Sequence, residues 1–274
     1  MVPASQIERG FADVPGARLA YDRAGEGASV VLLHGALLDR RMWDDQLSHL
    51  ARHFDTVRYD LRSAGRSVTQ PSAEPFAHHE DLRQLLQALA IPRASLVGLS
   101  NHAIALDFAL AYPDLVQKLV LVSPGLRGYA FEDPWIGQRF GAMFHALGQR
   151  ELDAAVEIFL TMWLDGPYRT PDQVALSVRE HARAMVAHAF AVSRLAPNAI
   201  GLEPPAIERL ADVAAPTLVV LGEHDAPDIH RIGRLIHERV AGSQLVVVPG
   251  AGHTLVMEQP DRFNHLLEDF LRAA

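Results

Sequence analysis

SLVGLSNHAIAL, residues 95–106, opens as an apolar run, stops at Gly98-Leu99-Ser100 and continues at once with helical spacing. A chain with that pattern mounts a serine on a sharp turn between a buried strand and a helix. Two more strand-like runs lie downstream: LVVLGEHD sets Asp225 just past one, and VVVPGAGH sets His253 just past the other. Serine, acid and histidine come in that order along the chain. In a parallel sheet the carboxyl ends of all strands share one edge, so side chains on loops after three different strands can converge there.

Outward from this stretch, strand and helix patterns alternate. Val30 to Leu33 is an apolar run, followed by helical spacing of Met42, Trp43, Leu47 and Leu50. Thr56 to Tyr59 leads to DLRSAGRS, and Leu82, Leu85, Leu86 and Leu89 recur at spacings of three and four over 78–90. Residues 103–112 read as a buried helix closed by Pro113; KLVLVSP, PTLVVLG and QLVVVPG read as strands, and a final helix is predicted from Asp261 to Leu271. Short apolar runs separated by helices predict an α/β fold with a mainly parallel central sheet and helices on both faces.

Residues 125–205 break this rhythm. They contain no strand-like run and carry Phe131, Trp135, Phe140, Met143, Phe144, Phe159, Met162, Trp163, Met185 and Phe190 at mostly helical spacings. The division expected is a core of 1–124 and 206–274 with a helical insertion at 125–205. Apolar residues at helical period usually hold helices together, yet a pocket under such an insertion needs a lining, and Trp135, Phe144 and Trp163 are the candidates to touch substrate.

Composition narrows the function classes. The formal charge of −8 without a Lys/Arg-rich segment argues against nucleic acid. Absence of cysteine rules out disulfides and thiolate metal sites. The N-terminal MVPASQIERGFADVPG lacks a signal-peptide pattern, and no apolar run is long enough to span a bilayer, so a soluble, cytoplasmic protein without a membrane partner is expected, as monomer or homodimer. The 14 histidines include no pair at H-E-x-x-H spacing, and His145, His181, His188, His230 and His237 read as helix-surface residues. The GAG before His253 lacks a dinucleotide-binding context; no cofactor and no metal are expected.

With the His34-Gly35 pair after the first apolar run, the whole constellation resembles the α/β-hydrolase fold family, serine carboxylesterases and enol-lactone hydrolases in particular. HGALLDRRMW, DLRSAGRS, GLS, PTLVVLGEHDAPDI and PGAGHTLVMEQPDRFNHLLEDFL carry the resemblance along nearly the whole chain. It implies a helical cap at 125–205 and a triad of Ser100 as nucleophile, His253 as base and Asp225 as the acid that orients it. Asp228 is the second candidate for the acid. It also assigns the oxyanion donors to the backbone of Ala36 and Asn101, and the positive end of the following helix to the same place. His34 is placed beside the substrate, in a position that more often serves as a brace. DLRSAGRS is similar to the family's D-x-R-G-x-G-x-S turn, with Ser63 at the first glycine, and implies loop architecture near the pocket.

One feature departs from that pattern. The elbow of the family reads G-x-S-x-G, and here His102 stands at the second glycine. The flanks align if one residue is lost after the serine, which turns the following helix by roughly 100° unless the elbow absorbs it. Three readings follow: a remodelled but competent elbow, a His102 that points into the pocket and acts on substrate, or an inert site. The expected activity is hydrolysis of a carboxylic ester or lactone through an acyl-serine. The alternatives are a non-catalytic small-molecule binding protein on the same scaffold, or a C–C bond hydrolase, cofactor-free haloperoxidase or acyltransferase using the same triad. The aromatic cap suggests a bulky substrate.

Overall fold

In the computed structural model, which describes residues 7–70, 74–100, 104–192 and 198–273, the chain builds one large sheet flanked by helices. Its strands are β1 (Glu8–Val14), β2 (Ala17–Ala24), β3 (Ser29–Leu33), β4 (Asp55–Tyr59), β5 (Val68–Thr69), β7 (Ala94–Leu99), β8 (Val116–Val122), β10 (Thr217–Gly222) and β11 (Gln244–Val248); the short β6 (Phe76–Ala77) and β9 (Ala199–Ile200) pair only with each other. The order across the sheet is β1-β2-β4-β3-β7-β8-β10-β11, with β5 paired to β2. From β4 to β11 every pairing is parallel, and β1 and β2 run antiparallel at one edge. The inner parallel strands are buried on both faces, which is why β3 and β10 carry the apolar stretches VVLL and LVVL and β8 carries LVLV in its second half.

The core helices are α1 (Asp44–Leu50), α2 (His78–Ala88), α3 (Ile104–Ala111), α7 (Pro227–Arg239), α8 (Leu255–Glu258) and α9 (Pro260–Arg272). In α2 the predicted leucine stripe is the buried face through Leu82, Leu85 and Leu86, and α9 buries Phe263, Leu267, Phe270 and Leu271. α7 buries Ile229, Ile232 and Ile236 at the same periodicity, a helix that the strand-to-strand reading of 206–274 passes over. The β1–β2 hairpin also escaped that reading. β1 alternates exposed and buried positions and has too few apolar residues to stand out.

Between β8 and β10 lie α4 (Pro134–Gly148), α5 (Leu152–Leu160), a π-helical turn at Thr161–Asp165 and α6 (Leu176–Val192). Their buried faces include Met143, Phe159, Met162 and Met185. The expectation of no strand in 125–205 needs one amendment: β9 pairs in parallel with β6, which ties the end of the insertion to the core. α6 is fastened to the core at two further points, where His181 Nε2 donates to the Arg41 carbonyl (3.2 Å) and His188 Nε2 to that of Gly65 (3.0 Å). Among the described residues no helix is long and apolar enough to cross a membrane.

Candidate active site

β3 and β7 are neighbours in the sheet, so the loops after them open on one crevice at its carboxyl edge. Ser100 follows β7 directly. Its N–H continues the ladder to the Val122 carbonyl (3.0 Å), its own carbonyl accepts from Gly125 (3.1 Å), and its φ is 55°. A left-handed backbone at a residue with a Cβ is costly and marks an enforced turn. Gly98 permits the following helix to pack close, since a Cβ there would stand 3.0 Å from that of Ala105.

Asp225 and His253 come from the loops after β10 and β11. These loops are stitched together by Glu223 N–H to the Val248 carbonyl (3.0 Å) and His224 N–H to that of Ala251 (2.8 Å). A Cβ at Gly222 would strike the carbonyls of Ala251 and Gly252, so only glycine lets the two loops meet. The result is a buried pair: His253 Nδ1 lies 3.0 Å from both carboxylate oxygens of Asp225, with the residues 5% and 1% exposed. A carboxylate only accepts, so Nδ1 carries the proton and Nε2 is left as the basic nitrogen. Asp225 Oδ1 also accepts the Ala226 N–H at 2.8 Å, which holds the carboxylate in place. Behind His253, Glu258 accepts the Gly252 N–H (3.2 Å) and is ion-paired to Arg169, just past the π-helical turn. That turn lays Trp163 against the imidazole, ring centroids 4.4 Å apart.

Asp228, the second candidate, does different work. It is buried and accepts from Tyr129 Oη (3.1 Å), the backbone of Glu132 (2.9 Å) and Asp133 (2.8 Å), and Arg231 (2.7 Å). Burial pushes its pKa up, but the hydrogen bonds, that of Asp133 foremost, outweigh it and hold the carboxyl below the usual range. It fastens the segment leading into α4 onto α7.

Ser100 and His253 line a common cavity of about 520 Å³. Ala36 and Leu38 form part of its floor, and Phe140, Met143, Phe144 and Phe159 part of its walls, beside Trp163. Among the described residues none accepts the Ala36 N–H. Asn101 and His102 lie outside the described residues. Two expectations are corrected. Trp135 does not line the cavity: it stands on α4 with the Arg139 guanidinium 5.2 Å from its ring centroid. His34 does not line it either. Its Nδ1 donates to the Gly35 carbonyl (2.8 Å) and its Nε2 accepts the Leu61 N–H (2.9 Å), a bracing role that requires the neutral ring; burial accordingly lowers its pKa.

The DLRSAGRS turn is also a brace. Ser63 takes the left-handed φ of 65° that a glycine would take freely, and Ser67 Oγ donates to the Asp60 carbonyl (2.7 Å) while accepting the Ala20 N–H (2.9 Å). Among the described residues there is no group of His, Asp and Glu able to hold a metal ion. Sequence reasoning missed Arg127, Tyr129 and Ile229, which also face the cavity. The available signal for the first two was their position directly after a strand of the parallel sheet, where loops meet at the carboxyl edge.

A strained serine after β7, a histidine–aspartate pair after β11 and β10, and a cavity lined by the serine and the histidine agree with a family match that spans residues 30–266. The chain belongs to the alpha/beta hydrolase family. This α/β hydrolase is similar to a hydrolase from Pseudomonas aeruginosa PA01, with 30% identity, a TM-score of 0.75 and coverage of 98% of this chain and 100% of that one. It is also similar to a thermophilic esterase from Thermogutta terrifontis, at 27% identity and a TM-score of 0.78 over 97% and 98% of the two chains. A 2-hydroxy-6-oxo-6-phenylhexa-2,4-dienoate hydrolase from Burkholderia cepacia is 25% identical, over 93% of this chain and 91% of that protein.

Proposed function

We propose that this α/β hydrolase cleaves a carboxylic ester or lactone through an acyl-serine formed on Ser100. The observation that carries the reading is the hydrogen-bonded His253–Asp225 pair bordering the same cavity as a serine held at φ 55°. The likeness to a thermophilic esterase supports the ester class.

Ser100 Oγ attacks the carbonyl carbon as its proton passes to His253 Nε2, and Asp225 stabilises the imidazolium through Nδ1–H. The tetrahedral oxyanion takes a hydrogen bond from the backbone N–H of Ala36, such a donor being worth about a hundredfold or more in rate; the family resemblance assigns the second donor to Asn101, which lies outside the described residues. Collapse breaks the acyl–oxygen bond, and the leaving alkoxide takes the proton from Nε2; for a lactone both halves stay joined. Water then adds to the acyl-serine with His253 as base, which releases the acid and restores Ser100. The largely aromatic and aliphatic wall suits an apolar acyl or alcohol part.

The test is intact mass after treatment with a fluorophosphonate, on the native protein and on Ser100→Ala, followed by turnover of simple esters and lactones. One adduct on the native protein alone, with turnover lost in the variant, is expected. A folded native protein that takes no adduct would favour a binding protein on a hydrolase scaffold.

A further inference from the structure

π-helical turns are rare, and one closes the cap helix α5 at Thr161–Asp165. It ends at Gly166, which has a φ of 71° and lies so close to the next loop that a Cβ would stand 2.7 Å from the His224 carbonyl oxygen. The turn therefore rides on the loop that carries Asp225.

A helix end leaves carbonyls without donors, and here Arg169 supplies them: its guanidinium donates to the Leu164 carbonyl and to that of Asp165 (3.1 Å). The same guanidinium donates to the Gly250 carbonyl (3.4 Å) and pairs with Glu258, their side chains 6% and 7% exposed. Glu258 in turn accepts from the Gly252 N–H and the Thr254 hydroxyl, each at 3.2 Å, on the two sides of His253. Turn and histidine loop are thus fastened directly to one another.

At this junction Trp163 meets His253, with ring centroids 4.4 Å apart and planes at 41°. The indole is itself held, 9% exposed and edge-on to Phe140 at 6.2 Å. The Nδ1 hydrogen bond to Asp225 fixes one edge of the imidazole, and a ring held by one edge can still turn about the line of that bond. A packed face removes this freedom. The contact also strengthens as the reaction proceeds, because the imidazolium formed when Ser100 attacks is a cation within the ~6 Å at which an indole attracts positive charge.

We infer that Trp163 is a positioning residue, which holds the His253 ring by its face while Asp225 holds it by its edge, and that Arg169 keeps the indole in place. The assignment rests on the acyl-serine reading above. It goes beyond that reading in making the cap part of the catalytic apparatus as well as a wall for substrate.

Phosphonylation tests His253 without regard to substrate class: the Ser100 Oγ–P bond forms, the P–F bond breaks, the proton passes to His253 Nε2 and fluoride leaves. The rate constant for a small fluorophosphonate, and kcat and KM for 4-nitrophenyl acetate and 4-nitrophenyl octanoate, are measured on the native protein, Trp163→Leu, Trp163→Phe and Arg169→Gln, each checked for native circular dichroism. Trp163→Leu should lose about tenfold or more in phosphonylation rate and in kcat for the acetate, with KM for the acetate within about threefold of native, because a misplaced base costs rate and not ground-state binding. Trp163→Phe, which keeps a ring face, should recover most of the loss. Arg169→Gln, at a residue that does not line the cavity, should lower kcat in the same way. A leucine variant phosphonylated at the native rate, with its defect confined to KM for the octanoate, overturns the positioning role and leaves the acyl-serine reading intact. A native protein that takes no adduct overturns both. A native protein that takes the adduct but cleaves neither ester counts against the ester class alone, and the phosphonylation rates then decide on Trp163.

Discussion

Replacing Ser100 by glycine should remove activity and at the same time make the protein more stable than replacing it by alanine. At φ 55° the backbone of residue 100 sits in the left-handed region, where a residue with a Cβ costs about 1–2 kcal/mol. Alanine keeps that cost and loses only the hydroxyl. Glycine relieves it, at the expense of about 0.5–1 kcal/mol of extra unfolded-chain entropy. The difference leaves the glycine variant ahead by about 0.5–1 kcal/mol. For a chain of 274 residues, about 2–4 °C of Tm corresponds to each kcal/mol, so Ser100→Gly should melt about 1–4 °C above Ser100→Ala. Urea unfolding of the two variants side by side, with calorimetric melts, measures this directly. Both should be unreactive towards a fluorophosphonate. A glycine variant no more stable than the alanine variant would refute the claim that the fold holds Ser100 under strain.

Further outcomes follow from the buried acids and from His34. Asp225→Asn should lower kcat by about four orders of magnitude, because an amide no longer enforces the Nδ1–H tautomer of His253. Asp228→Asn should instead cost about 1–3 kcal/mol of stability in urea unfolding, since it weakens a carboxylate that takes four hydrogen bonds. Comparable losses of kcat in the two variants would count against the assignment of the acid. Asp228, with its lowered pKa, should stabilise fully above the ordinary carboxylate range and lose that contribution on acidification. His34 has its pKa lowered by burial, so below about pH 6.5 the unfolded chain takes up a proton that the native state refuses. Stability should therefore fall with decreasing pH in that window by up to about 1.4 kcal/mol per unit. That component should be missing from the stability–pH curve of His34→Gln; an unaltered slope would show that His34 does not titrate on unfolding.

Much of the scaffold was legible because burial on both faces writes itself into sequence as apolar runs. β3, β7, β8 and β10 fall where such runs stand, and α2 and α9 bury the stripes that their spacing announces. The order of serine, acid and histidine was legible for the same reason: each sits just past a run, and a parallel sheet gathers those points at one edge. The β1–β2 hairpin left no such mark, because an exposed edge strand needs few apolar residues.

The sequence by itself determined the buried parallel strands, that Ser100, Asp225 and His253 each follow one of them, and the helical periodicity of the stretch between β8 and β10, since these depend on local pattern and on the periodicity of burial. Only the tertiary structure shows which of Asp225 and Asp228, three residues apart, faces the His253 ring, because that contact forms across two loops closed by Gly222. It likewise turned Trp135 away from the cavity and His34 into a brace, and brought Trp163 against the imidazole. Side-chain direction is set by packing between segments distant in the chain, and no local spacing records it.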